Sequence, residues 1–291
     1  MFAVTPSLPP SHEVVLPRRG RTWVYDTGPP PAGPAGPPLL LLHGWTSTAA
    51  LNFYRCFDRL AARYRVVALD HRGHGRGLRS RLPFRLEDCA DDAAILSQEL
   101  ELGPCTVVGY SMGGPIGQLM WRRRPESVAH LVLCATAARF PVRRFNGAFG
   151  TFGSGAAAAL SLVPPALRRI GMDYATARWR STEGAALWAA AEWGRHDPTA
   201  LVQAGVALSR YDSTGWIRRI DVPTAVVVTE RDTTVSPRRQ RYLADTIPGA
   251  VAFPVHGDHR VVADDPERFL GALLPACDAV RRLRSPARSG S

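Results

Sequence analysis

The sequence predicts an α/β protein, in which helices cover both faces of a mostly parallel sheet and a helical insert separates two of the strands. Short apolar runs are typical of buried parallel strands, and segments with helical periodicity lie between them. The runs are Leu39–Leu42, Val66–Leu69, Thr106–Val108, Leu131–Cys134, Thr224–Val228 and Val251–Val255. The chain has 291 residues, which is enough for one large core with an insert.

Two β-like runs, Glu13–Leu16 and Arg21–Asp26, precede this alternation. Helical periodicity predicts helices over residues 86–102, 112–124 and 264–283. The first helix carries acidic residues near its N-terminus, where negative charge suits the helix dipole. These residues are Glu87, Asp88, Asp91 and Asp92.

The alternation stops between about Arg139 and Ile220, in a segment rich in Ala, Gly, Trp and Arg. We therefore expect a helical cap over residues 139–220 and a discontinuous core formed by residues 1–138 and 221–291. The polar, basic residues 284–291 are expected to be a disordered tail. The aromatic residues of the cap are candidates for the roof of an apolar pocket. They are Phe145, Phe149, Phe152, Trp179, Trp188 and Trp193.

The formal net charge of +11 is compatible with binding to nucleic acid or to an anionic membrane. However, all 36 basic residues are arginine, and they are spread along the chain without a recognition motif. This pattern is typical of a GC-rich coding bias, so we expect no nucleic-acid partner. The longest uncharged stretch, 145–167, contains several glycines and Pro164-Pro165, which makes it a poor membrane span.

The five cysteines form no C-x-x-C pair, and we expect reduced, mostly buried thiols in a cytoplasmic protein. The first 20 residues contain no apolar segment of the kind found in signal peptides. No cofactor motif and no set of metal ligands at suitable spacing is present, and the sequence leaves the oligomeric state open. His71 and His74 are therefore interpreted as structural residues rather than metal ligands.

A candidate nucleophile follows the strand at 106–108. The sequence Gly109-Tyr110-Ser111-Met112-Gly113 is a G-x-S-x-G motif between a predicted strand and a predicted helix. Ser111 would lie on a tight turn, with glycines where side chains would clash. The Met112 backbone N–H, at a helix N-terminus, is a candidate oxyanion donor. A second donor is expected from the backbone N–H of Trp45, after strand 39–42, and the Trp45 ring would line the pocket.

A nucleophilic serine needs a base and a carboxylate that orients the base. Asp232 follows strand 224–228 and is favoured as the acid. Glu230 is the rival residue, and a surface ion pair is its favoured role. His259 is favoured as the base because its loop turns towards the last helix, whereas the rival His256 stands at the end of strand 251–255.

Together these motifs resemble the α/β-hydrolase superfamily over nearly the whole chain. The H-G-x loop matches His43 to Trp45, and the D-x-R-G-x-G-x-S turn matches residues 70–77, with Gly77 replacing the final serine. The nucleophile elbow matches residues 109–114. A histidine seven residues before a proline matches His259 and Pro266, and the insert occupies the position of the family's cap.

The resemblance implies a serine hydrolase that cleaves a carboxylic ester of a small to medium apolar substrate through an acyl-enzyme, with water as co-substrate. Thioesterase, lactonase, C–C hydrolase and cofactor-free haloperoxidase activities remain open on the same residues. A ligand receptor with slow turnover is the alternative from another class. Chemistry that needs an aspartate nucleophile is disfavoured, because Ser111 stands at that position.

Overall fold

A computed structural model of the chain describes residues 6–33, 36–140, 163, 167 and 185–283. Its strands are β1 (Ser11–Leu16), β2 (Gly20–Asp26), β3 (Leu39–Leu42), β4 (Val66–Leu69), β5 (Cys105–Tyr110), β6 (Val128–Cys134), β7 (Thr224–Thr229) and β8 (Val251–Val255). These strands form one sheet in the order β1-β2-β4-β3-β5-β6-β7-β8. Strands β3 to β8 pair in parallel, and β1 and β2 join antiparallel at one edge. The predicted mostly parallel sheet is confirmed.

The helices that the structure describes are α1 (Ala49–Phe53), α2 (Phe57–Ala61), α3 (Leu86–Glu99), α4 (Gly113–Arg123), α5 (Ala185–Trp193), α6 (Pro198–Arg210), α7 (Pro237–Thr246), α8 (Val261–Asp264) and α9 (Pro266–Arg282). Alternate residues of the central strands face opposite layers of the core. Leu40 and Leu42 pack in the layer that contains α3 and α4. Leu39 and Leu41 pack in the layer that contains α1 and α9. Burial on both faces explains why these strands are continuously apolar.

Of the four acidic residues predicted near the N-terminus of α3, Glu87 and Asp88 lie in its first turn, whereas Asp91 and Asp92 have another role. Asp91 and Asp92 are buried and form ion pairs with other elements. Asp91 accepts from Arg123 of α4 at 2.7 Å, and Asp92 accepts from Arg72 at 2.7 Å and from Arg19. A buried carboxylate needs such partners because its desolvation is costly. These side chains therefore join α3 to its neighbours.

Helices α5 and α6 lie in the chain between β6 and β7, within the segment expected to be a cap, called the insert below. The predicted tail at 284–291 and the aromatic residues Phe145, Phe149, Phe152 and Trp179 lie outside the described residues. Of the other two, Trp188 packs against Tyr54, with ring centroids 5.2 Å apart, and Trp193 lies 5.8 Å from His196. Both described tryptophans therefore contact neighbouring side chains.

Candidate active site

The turn between β5 and α4 places Ser111 above the carboxyl end of the sheet. Ser111 has a φ of +52°, which is costly for a residue with a side chain. Its backbone is held on both sides, because its N–H donates to the Cys134 carbonyl at 2.9 Å and its carbonyl accepts from the Thr136 hydroxyl at 2.7 Å. The chain thus keeps Ser111 in a conformation that presents its hydroxyl to His259.

The glycines around Ser111 are required by close packing. A Cβ atom at Gly109 would lie 2.4 Å from the Gly113 carbonyl oxygen, and one at Gly113 would lie 2.0 Å from the Leu42 carbonyl oxygen. Both distances are below van der Waals contact, and the two neighbours cannot move without displacing α4 or the sheet. Only glycine fits at these two positions, which gives the G-x-S-x-G motif its physical basis here.

Three predicted side chains from three different loops form one hydrogen-bonded chain. The Nε2 atom of His259 lies 3.0 Å from the Ser111 Oγ, and its Nδ1 atom lies 2.6 Å from the Asp232 Oδ2. These residues follow β5, β7 and β8, whose carboxyl ends meet at one edge of the sheet. With Nδ1 donating to the carboxylate, Nε2 can accept the serine proton. This arrangement allows the hydroxyl to attack an electrophilic carbon.

The Asp232 carboxylate is completely buried, and protein donors bond both of its oxygens. Its Oδ1 accepts from the backbone N–H groups of Thr234 at 2.7 Å and Val235 at 2.8 Å. Its Oδ2 accepts from the Thr229 hydroxyl at 2.8 Å and from the Gln240 amide at 3.2 Å, besides His259. These bonds fix the direction in which the carboxylate presents its oxygen to the imidazole.

The rival residues Glu230 and His256 lie together at the surface. The His256 Nδ1 is 3.6 Å from the Glu230 carboxylate, and Arg241 approaches the same carboxylate at 3.7 Å. The His256 side chain is 53% exposed, against 21% for His259. Glu230 and His256 therefore pair with each other and with Arg241, apart from Ser111.

The loop after β3 runs directly against Ser111. A Cβ atom at Gly44 would lie 3.3 Å from the Ser111 Cβ, and the Gly44 N–H donates to Asn52 at 2.9 Å. Trp45 follows immediately on this loop. Met112 stands at the start of α4, and its backbone N–H donates to no acceptor within the described part of the chain. When the Ser111 Oγ attacks a carbonyl carbon, the negative charge that develops on the carbonyl oxygen would be stabilised by such amides.

The Trp45 side chain, which is expected to line the pocket, contacts the insert. Its indole Nε1 donates to the Leu201 carbonyl of α6 at 2.8 Å. A Cβ atom at Gly205, one turn further along α6, would lie 2.8 Å from the indole Cζ2. The indole therefore packs tightly on α6, and it links the loop beside Ser111 to the insert.

A family model described as alpha/beta hydrolase fold matches residues 37–266. The chain belongs to the α/β-hydrolase family. A pimeloyl-[acyl-carrier protein] methyl ester esterase of Chromobacterium violaceum is 29% identical over 248 residues, which cover 82% of this chain and 93% of that relative. A magnesium-chelatase 30 kDa subunit of Rhodobacter capsulatus is 42% identical over 95 residues, only 32% of either chain. A solved esterase from Thermogutta terrifontis superposes with a TM-score of 0.71 at 23% identity, covering 93% of this chain and 99% of that one.

Four buried histidines lie beside the loops of the candidate site of this α/β-hydrolase: His43, His71, His74 and His196. Ring centroids are 4.2 Å apart for His43 and His71 and 5.3 Å apart for His74 and His196. The His43 Nε2 accepts from the His71 backbone N–H at 2.9 Å, so its Nδ1 carries the proton and donates to Gly44. The His196 Nδ1 accepts from the Gly75 N–H at 2.8 Å, which joins the insert to the loop after β4.

Burial dominates the electrostatics of this histidine cluster. It lowers the pKa of His71 to about 3 and that of His74 to about 4, and it lowers the pKa values of His43 and His196 as well. Neutral imidazoles are therefore the folded-state form at neutral pH. Within the ranges that the structure describes, no group of three or more His, Cys, Asp or Glu side chains could hold a metal ion.

Several residues that support the site carry no recognisable sequence signal. Gln240 on α7 bonds Thr229 and Asp232, and the Tyr110 hydroxyl donates to the His259 carbonyl at 2.9 Å. Thr136 leaves no room for a side chain at Gly114, since a Cβ atom there would lie 2.2 Å from the threonine hydroxyl. Gly114, the third glycine of the elbow, is the single hint in the sequence of that contact. In the described residues, no helix is long and apolar enough to cross a membrane.

Proposed function

We propose that this chain is a serine hydrolase in which Ser111 is the nucleophile, His259 the general base and Asp232 the acid that orients it. The hydrogen-bonded chain from Ser111 through His259 to Asp232 carries this proposal. As Ser111 attacks the acyl carbon, His259 takes its proton and Asp232 stabilises the imidazolium that forms. His259 then donates the proton to the leaving alcohol.

The backbone N–H groups of Met112 and Trp45 are the proposed oxyanion donors. A water molecule, deprotonated by His259, then attacks the acyl carbon. The bond from that carbon to the Ser111 Oγ breaks, His259 returns the proton to Ser111, and the carboxylic acid leaves. No cofactor or metal takes part in these steps. The preorganised amides supply the electrostatic stabilisation that is usually the largest contribution in acyl transfer.

The proposed substrate is a carboxylic ester with a small to medium apolar acyl group. Support comes from the methyl ester esterase to which 82% of the chain is similar. The insert over 139–220 is proposed as a cap on a core of 1–138 and 221–291, because Trp45 beside Ser111 packs against α6. Five free, buried cysteines are compatible with the proposed location in the cytoplasm.

Covalent labelling with a fluorophosphonate tests the nucleophile. The wild-type chain should be labelled at Ser111, and Ser111→Ala should abolish labelling while the far-UV circular dichroism spectrum is unchanged. Ser209→Ala is the matched control, because Ser209 bonds only within α6, to the Val206 carbonyl. Labelling that persists in Ser111→Ala would contradict the proposal.

A panel of p-nitrophenyl esters tests the substrate class. We expect kcat/KM to rise from acetate to medium chains, because each buried methylene contributes up to about 0.8 kcal/mol, and then to fall once the pocket is full. Acyl-coenzyme A is the comparison substrate. A flat or falling ester profile beside fast thioester turnover would replace the esterase assignment with a thioesterase.

A further inference from the structure

A second concave site lies apart from the Ser111–His259–Asp232 chain. It is a crevice of about 290 Å³ between the loop after β4 and the first two turns of α6. Its lining includes Arg72, Arg79 and Arg81 from the loop and Thr199 from the helix, and it shares no residue with the proposed active site. We call it the arginine crevice.

The walls of the arginine crevice are joined to each other by hydrogen bonds. The Asp197 N–H donates to the Gly73 carbonyl at 2.8 Å, and the Phe84 N–H donates to the Gln203 side chain at 2.8 Å. Packing is equally close, since a Cβ atom at Gly73 would lie 2.1 Å from the Ala200 Cβ. The shape is thus fixed before any ligand binds, which lowers the entropic cost of binding.

The three guanidinium groups of the crevice differ in their partners. Arg72 is committed to Asp92 by two hydrogen bonds of 2.8 and 2.9 Å. Arg79 donates from Nη1 and Nη2 to backbone carbonyls, including Gly75 and Arg195, both at 2.6 Å. In the described part of the chain, neither Arg79 nor Arg81 has a carboxylate within 4.0 Å. Arg81 therefore keeps its charge and its donors for an external anion, whereas Arg79 keeps its charge but commits three of its five N–H groups to carbonyls.

The charge balance of the crevice also favours an anion. The carboxylate of Asp197 lines it, but one of its oxygens already accepts from the Thr199 and Ala200 backbone N–H groups. Asp92 neutralises Arg72, and Asp197 offsets one further positive charge. Arg79 and Arg81 together therefore leave the lining with a net positive charge.

We propose that the arginine crevice binds a phosphate group, either free or at the end of a larger phosphate monoester. The fork of Arg81 and the remaining donors of Arg79 can share the several oxygens of a phosphate, whereas a single carboxylate is matched by one fork. The Ser80 and Thr199 side chains in the lining add hydroxyl groups. At the rim, the Leu82 side chain is 71% exposed and offers an apolar surface to the remainder of a monoester. This proposal does not depend on the proposed hydrolase activity.

Equilibrium dialysis of the full chain with radiolabelled inorganic phosphate, at constant ionic strength set with sodium chloride, tests the proposal. We expect saturable binding of one phosphate per chain, with Kd of about 1 mM or tighter, as two charge-assisted contacts would supply. Arg81→Gln should weaken binding at least about tenfold. Arg81 makes no bond within the described residues, so this variant should fold normally. The double variant with Arg79→Gln should abolish saturation.

Arg85→Gln is the matched control, with the same loss of charge four residues away. Arg85 is 65% exposed beside Glu87 and does not line the crevice, so its variant should bind phosphate within about twofold of wild type. Absence of saturable binding, or equal weakening in Arg81→Gln and Arg85→Gln, would overturn the proposal. Malonate that binds more tightly than phosphate would also overturn it.

Competition with n-butyl phosphate separates the two sources of the phosphate group. Competition stronger than that of unlabelled inorganic phosphate supports a monoester whose apolar part contacts Leu82. Competition that is equal or weaker supports free phosphate as the ligand. In the monoester case, Leu82→Ser should reduce the affinity for n-butyl phosphate and leave the affinity for inorganic phosphate unchanged.

Discussion

Replacement of His71 by leucine should make the protein more resistant to acid. Both ring nitrogens of His71 are buried and lack a hydrogen-bond partner among the described residues. Burial lowers the pKa of His71 from 6.5 to about 3. Leucine has a similar volume and no polar atom, so the substitution removes two unsatisfied atoms and one titratable group. At pH 8 the free energy of unfolding should be equal to that of wild type or up to about 2 kcal/mol higher.

The sign of the pH effect follows from proton binding. A histidine whose pKa is lowered on folding binds more protons in the unfolded state, so its contribution to stability is present above pH 6.5 and is lost as the pH falls towards 3. At pH 5 the unfolded state gains about 2 kcal/mol per such histidine relative to pH 8. Asp70 acts in the opposite sense, because burial raises its pKa to about 6. It is unchanged in the variant, so its contribution cancels in the comparison.

Urea unfolding followed by tryptophan fluorescence at pH 8, 7, 6 and 5 measures the effect. The advantage of His71→Leu over wild type should grow by about 2 kcal/mol between pH 8 and pH 5. His71→Gln is the matched control, because glutamine does not titrate but is still polar. It should flatten the pH dependence equally without added stability at pH 8. Parallel pH profiles for wild type and both variants would refute the assignment of a buried, neutral His71.

Further predictions concern the proposed active site. His259→Ala should lower kcat/KM for an ester at least about a thousandfold, and His256→Ala should lower it less than about threefold. Circular dichroism should show that both variants are folded like the wild type. Asp232→Asn should cost about four orders of magnitude in kcat, because it favours the wrong imidazole tautomer, and a near-normal rate would contradict this role. Gly113→Ala should cost more than about 3 kcal/mol of stability, seen as loss of soluble protein. Gly205→Ala should displace the Trp45 indole, which packs on α6. We expect kcat for the same ester to fall about tenfold without unfolding of the protein.

The elbow and the order of the core elements could be predicted because local patterns encode them. A continuous apolar strand followed by a serine between glycines specifies a strand, a tight turn and a helix with few alternatives. Three of the predicted strands, Leu39–Leu42, Val66–Leu69 and Val251–Val255, have the observed bounds, whereas β6 begins three residues earlier, at Val128. His130 and Ala129, which are only partly buried, interrupt the apolar pattern there.

Contacts between distant segments could not be predicted. Gln240 holds Asp232 from α7, eight residues further along the chain, and no periodicity marks a glutamine for that role. His196 meets Gly75 across 121 residues. A sequence shows only where Asp91 and Asp92 lie on α3, and this position predicted an interaction with the helix dipole. Their arginine partners, Arg72 and Arg123, are set by tertiary packing.

The contacts of the insert bear on how the loop beside Ser111 is held. Trp45 is bonded through its indole to α6, and the ring of His43, two residues earlier, packs at a tilt against His71 in the cluster that reaches His196. Both ends of this three-residue loop are therefore tied to the same inserted segment by different means, one by a hydrogen bond and one through neutral histidine rings. A displacement of α6 would shift the Trp45 indole, which is packed tightly on it. Because the rigid ring is attached to the main chain, the Trp45 backbone N–H would move as well. The proposed oxyanion site would then be complete only when the insert is seated on the core. Substitutions in α6 should consequently change kcat as well as substrate preference.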